Sequence, residues 1–143
     1  MNKFQLPAAA LLLGVVLSAN TCSNKGSATN AAAQAAGKWV LVSINGQPQQ
    51  VAGDREQPFL NIDSLGANVN GFAGCNRIFG SMVLHGDSMS FPGLAATKMY
   101  CQESQQLEDQ LLQALNNTRT FTIQGDELKL KGGKELAVFR RTK

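Results

Sequence analysis

The residues of this chain best equipped for chemistry are few: cysteines at 22, 75 and 101, a lone histidine at 85, and the adjacent carboxylates Glu108-Asp109 and Asp126-Glu127. Cys75 has the densest setting, "GFAGCNRIFG" from Gly71 to Gly80, where three glycines, an asparagine and an arginine crowd one thiol. Such a thiol could attack a substrate, ligate a metal or close a disulfide, and each use makes a different demand on its neighbours. A nucleophile needs a base within hydrogen-bond reach and a third group to orient that base. His85 is the one histidine, and it lies against Gly86-Asp87, a turn signal that puts it in solvent without a visible partner. A metal site built from Cys75, His85 and Cys101 would lack a fourth ligand and has neither C-x-x-C nor H-x-x-x-H spacing. Redox catalysis uses a close cysteine pair, and these cysteines are far apart in sequence. The carboxylate pairs read as solvated charge, one on the polar face of a helix and one at a turn. No catalytic residue, metal or cofactor is therefore expected. A structural cross-link is the favoured use of Cys75, with a labile or reactive thiol as the rival.

The compartment bears on that choice, and the N-terminus indicates it. "MNKFQLPAAALLLGVVLSANTCSNKG" places one Lys before an apolar run from Leu6 to Leu17 and follows it with small polar residues, the layout of a secretory signal peptide over residues 1–21. The run is shorter than the roughly 18 to 20 apolar residues of a spanning helix. Cys22 stands where a bacterial lipoprotein carries its acylated cysteine, and residues 22–36 read as a flexible Ser/Ala/Asn/Gly tether. Ala19-Asn20-Thr21 departs from the usual lipoprotein signal, so cleavage after Ala19, giving a soluble periplasmic protein, is the alternative. With lipid on Cys22, Ser23 favours sorting to the outer membrane, facing the periplasm. Three cysteines are an odd number for an oxidising compartment, and assigning Cys22 to lipid leaves Cys75 and Cys101 to pair.

Residues 37–143 suit one domain. A net charge of +3, falling to +2 without Lys3, calls for no nucleic acid. The basic C-terminal third, including Lys129, Lys131, Arg140 and Arg141, reads as edge protection by Lys and Arg or as a face for an anionic membrane. "KWVLVSI" (38–44) leads into Asn45-Gly46, a hairpin signal. "PFLNI", "ANVNGFAG", "RIFGSMVL" and "SMSF" follow as an expected antiparallel meander between residues 58 and 91. About Gln102 to Asn116, Leu107, Leu111, Leu112 and Leu115 mark one face of a helix. "TFTIQ", "ELKLK" and "ELAVFRR" close the chain as short strands. The fold class expected is α+β: a small curved or incomplete antiparallel β-barrel with one amphipathic α-helix. The stretch "QPQQVAGDREQP" (47–58) is either a recognition element or a long polar connection.

Over this whole domain the sequence resembles the META/HslJ family of bacterial envelope proteins. The likeness rests on Gly37-Lys38-Trp39-x-Leu41, Asn45-Gly46, Gly71-x-x-Gly74-Cys75-Asn76-Arg77 with Gly80, Thr97-x-Met99-x-Cys101, Leu128-x-Leu130 and Phe139-Arg140. The resemblance implies an incomplete antiparallel barrel with one helix, an envelope location commonly as a lipoprotein, and a link to heat-shock induction and novobiocin resistance. It implies no reaction. Trp39, Gly71, Gly74, Asn76, Gly80, Thr97 and Met99 are expected to act structurally, the glycines at turns or close approaches and Asn76 as a residue able to tolerate a left-handed turn. The function expected is non-enzymatic: binding of an envelope partner in maintenance or stress tolerance. A lipid or small apolar ligand carried in the barrel, or thiol-redox work by Cys75, are the alternatives.

Overall fold

The structure, a computed structural model, describes residues 26–51 and 53–143. The signal peptide expected over 1–21 and the lipid site expected at Cys22 lie outside the described residues. Among the described residues eleven strands and two helices follow in the order α1 (Gly26–Ala35), β1 (Gly37–Ile44), β2 (Gln47–Pro48), β3 (Phe59–Ile62), β4 (Asn68–Phe72), β5 (Arg77–Ser81), β6 (Val83–His85), β7 (Ser88–Ser90), β8 (Ala95–Ala96), α2 (Gln105–Asn117), β9 (Thr120–Gln124), β10 (Glu127–Lys131) and β11 (Glu135–Arg141).

The strands form one antiparallel sheet in the order β6-β7-β9-β10-β11-β1-β3-β4-β5-β8, with β2 beside β1. Alternation along the strands decides its inner face. In β1, Trp39 and Leu41 are buried and Lys38 is exposed; in β10, Leu128 and Leu130 are fully buried between half-exposed lysines. Helix α2 lays Leu111, Ala114 and Leu115 among these inward residues, so its apolar stripe and the concave face of the sheet make one core. The curved sheet and its amphipathic helix are as the strand and leucine patterns predict.

The meander expectation holds only in part. Strand β1 pairs with β11 on one side and β3 on the other, so the two ends of the domain sequence meet at the centre of the sheet. "RIFGSMVL" is also not one strand. It breaks at Met82 into β5, which pairs with β4, and β6, which pairs with β7 towards the opposite end of the sheet. Met82 is buried and its amide donates to the Ala67 carbonyl at 2.8 Å. Because one residue joins strands from opposite ends, the sheet has to curl until those ends meet, and the ring is completed by the chain itself rather than by a continuous ladder. At Asn45-Gly46 the predicted hairpin forms, with φ of 50° and 76°.

The flexible tether expected over 22–36 gives way to helix from Gly26, and the domain starts earlier than residue 37. Alanines favour a helix as much as they suit a linker, but ten residues are too few to hold one unaided. Long-range contacts supply the rest. The indole Nε1 of fully buried Trp39 donates to the Ala35 carbonyl at 2.7 Å. The Arg141 guanidinium lies 4.1 Å over the Trp39 ring and donates to the Gln34 and Ala36 carbonyls, a cation at the helix C-terminus. Helix α1 also packs on β6, covering an edge strand.

Trp39→Phe keeps a ring in the core and leaves the Ala35 carbonyl without its donor. It is expected to cost about 1–3 kcal/mol in denaturant unfolding. Amide exchange in residues 32–36 should accelerate more than in β10; equal acceleration would separate α1 from this bond.

Candidate functional site

The Cys75 segment folds as a corner between β4 and β5. Gly74 turns the chain at φ 116°, open to glycine and strained for other residues. Gly71 serves a different need, since a Cβ there would stand 2.1 Å from the Phe59 carbonyl oxygen on β3. Gly80 likewise sits close against the backbone of Gly93 and Leu94. Cys75 is buried and bonded to Cys101, with 5.8 Å between their Cα atoms, four residues before α2 begins.

Asn76 makes no use of its tolerance for the left-handed conformation; among the described residues Asn45 alone, apart from glycines, has positive φ. Its value lies in its amide. Oδ1 accepts from the Thr97 hydroxyl at 2.8 Å and the Met99 backbone amide at 2.7 Å. Nδ2 donates to the Met99 carbonyl at 3.0 Å and to Glu108 Oε1 at 2.7 Å. Both acceptor sites and both donors of this buried side chain are therefore in use. Its backbone is bonded too, the amide to Glu108 Oε2 at 2.6 Å and the carbonyl to the Ala73 amide at 2.9 Å. Thr97 extends the link by accepting from the Arg77 amide at 3.1 Å while its own amide donates to the Arg77 carbonyl at 3.0 Å. The motif residues at 97 and 99 are thus tied to those at 76 and 77 side by side.

Glu108 was expected to be solvated, together with Asp109. It is only 4% exposed. Oε2 takes the amides of Cys75 and Asn76, Oε1 takes Asn76 Nδ2, and the carboxylate lies in the first turn of α2, where the helix dipole favours negative charge. The signal was present in the sequence. Glu108 stands three, four and seven residues before Leu111, Leu112 and Leu115, on the apolar stripe itself, whereas Asp109 lies off it. Every buried side-chain polar atom among the described residues has a partner, so this acid is an acceptor held in place rather than a free base.

The corner turns two apolar side chains outward. Met99 is 59% exposed and Tyr100 79%, although the Met99 backbone is fixed on both its N–H and its C=O. They border a hollow of about 400 Å³ against α2, with Ala96, Leu112 and Gln105 on its other sides. His85 is exposed at the end of β6, and among the described residues no three His, Cys, Asp or Glu side chains converge as metal ligands would.

Glu108→Gln replaces one carboxylate oxygen by an NH2 group that must face at least one of the three donors, and is expected to destabilise the fold by about 1–3 kcal/mol, while Asp109→Asn changes it by less than about 0.5 kcal/mol. Equal effects in urea titrations would refute the buried acceptor role. Replacing Cys75 and Cys101 together by Ala is expected to cost about 3–4 kcal/mol, from the loop of 26 residues that the bond closes. Calorimetry on both forms measures it.

The META domain family model matches residues 32–143, with its first residues inside α1. Two solved structures share the fold. An NMR structure of a protein from Burkholderia xenovorans is 24% identical over 96% of this chain and 97% of its own, with a TM-score of 0.61. A crystal structure of a DUF4847 family protein from Bacteroides vulgatus ATCC 8482 is 17% identical over 76% of this chain and 94% of its own, with a TM-score of 0.56. No curated protein matches the chain.

Proposed function

The chain belongs to the META domain family, and on that premise we propose that it is a non-enzymatic binding module of the bacterial envelope, exported and held at the outer membrane by lipid on Cys22, that serves stress tolerance by engaging a protein partner. The observation that carries this reading is the exposure of Met99 and Tyr100 on a segment whose backbone is fixed by Asn76 and the disulfide. Large apolar side chains in water are costly for a solitary domain and useful to one that binds, and Tyr and Met are enriched where proteins meet. Fixing the backbone beforehand removes much of the ordering cost of association.

The non-enzymatic part of the reading draws on the same geometry. Cys75 is committed to Cys101, and Glu108 to three donors, so neither is a nucleophile or base at rest. Carriage of a ligand in the barrel fits less well, because Trp39, Phe139, Leu60, Leu111 and Leu128 fill the interior with side chains.

A photo-crosslinking amino acid at position 100, irradiated in intact cells, is expected to give a discrete protein adduct that the same residue at exposed position 81 does not. Tyr100→Ala should weaken binding of that partner by about 2 kcal/mol and leave stability within about 0.5 kcal/mol. The mass of the mature N-terminal peptide reports on Cys22: an acylated Cys22 supports the anchor, and a free N-terminus at Asn20 overturns it. Absence of any adduct specific to position 100 would sink the docking role.

A further inference from the structure

The polar stretch after β2 returns alongside β1, bonded to its backbone between β2 and β3. The Gln49 amide donates to the Val42 carbonyl at 2.8 Å, Gln57 Nε2 reaches the Val51 carbonyl at 3.2 Å, and the Leu41 amide donates to the Pro58 carbonyl at 2.9 Å. These bonds place residues 48–51 and 57–58 beside the sheet and leave a groove of about 500 Å³ between them and β1, within the range of small-molecule sites. Val40 and Val42 contribute from the face of β1 opposite to Trp39 and Leu41, and Pro48 and Val51 contribute from the returning segment.

A cation borders this apolar trough. Arg140, opposite Val40 on β11, is exposed and makes no ion pair or side-chain hydrogen bond among the described residues. The carboxylate nearest it by register is Glu127 on β10, which pairs instead with Lys129 at 3.2 Å, a lysine shared with Glu135 at 3.7 Å. The neighbouring Arg141 also borders the groove, but its guanidinium is engaged with the Gln34 and Ala36 carbonyls. The groove therefore offers valine and proline walls, with Gln49, Gln50 and Gln57 beside them, and one guanidinium that makes no ion pair among the described residues.

The geometry points to a binding site for a small anionic amphiphile, its apolar chain lying along Val40, Val42 and Val51 and its carboxylate or sulfonate paired with Arg140. A neutral apolar molecule would leave the guanidinium unused, and a cationic one would meet like charge. The site is separate from the Met99–Tyr100 corner, and the two assignments stand or fall independently.

The test titrates the purified protein with decanoate and, in parallel, with decyltrimethylammonium, both below their micelle concentrations, while amide NMR spectra are followed. Decanoate is expected to bind saturably and to shift the amides of Val40, Val42, Val51 and Arg140, with the cation at least tenfold weaker. Arg140→Gln should weaken decanoate at least fivefold and leave the spectrum away from the groove unchanged. Lack of saturation, equal affinity for the two head groups on the unaltered protein, or shifts centred on Met99 and Tyr100 would each overturn the assignment.

Discussion

Much of this molecule hangs on the saturation of one amide. Asn76 has two donors and two acceptor sites on its side chain, and all four are met by groups far away in sequence: Thr97, Met99 and Glu108. A buried amide tolerates no partial solution, because each unmade bond leaves a desolvated polar atom. The loop before α2, the corner after β4 and the first turn of α2 must therefore reach register together. The disulfide then holds by covalent bond an arrangement the hydrogen bonds already define. Its contribution acts largely on the unfolded chain, that of Asn76 on the folded one.

This division explains why the motif residues differ so much in character. Thr97 contributes its hydroxyl and its backbone, Met99 only its backbone, and Gly74 only its freedom to turn. The Met99 side chain is left over by the fold, exposed on a rigid segment, and open to another use. A residue whose main chain is structural and whose side chain is not is well placed to present a surface without moving.

The parts of the fold legible in the sequence were those set by local periodicity and turn chemistry. Alternation marked the strands, Asn45-Gly46 the hairpin, and the leucines near 107–115 the helix. What escaped depends on contacts distant in sequence. The α1 helix needs Arg141 and Trp39, and nothing within "GSATNAAAQA" shows them. The division of 77–84 at Met82 follows from ring geometry, since each half alone reads as strand. Glu108 is legible only in part: its place on the leucine stripe outweighs its charge, and its partners lie more than thirty residues away. At the site, the cysteine pairing could be reached by elimination, but the hollow beside Tyr100 required the fold.

The central pairing of β1 with β11 also bears on when the domain can form. Trp39 lies opposite Arg141, and β1 has its long ladders only with β11 and β3. Loop-closure entropy across nearly the whole domain has to be met before that ladder rewards it, which slows folding. Among the described elements β11 is the last to be synthesised, so the core cannot be completed before it emerges. Until then β1 lacks the partner that completes its longest ladder, and the partly made sheet carries an open edge at its own centre.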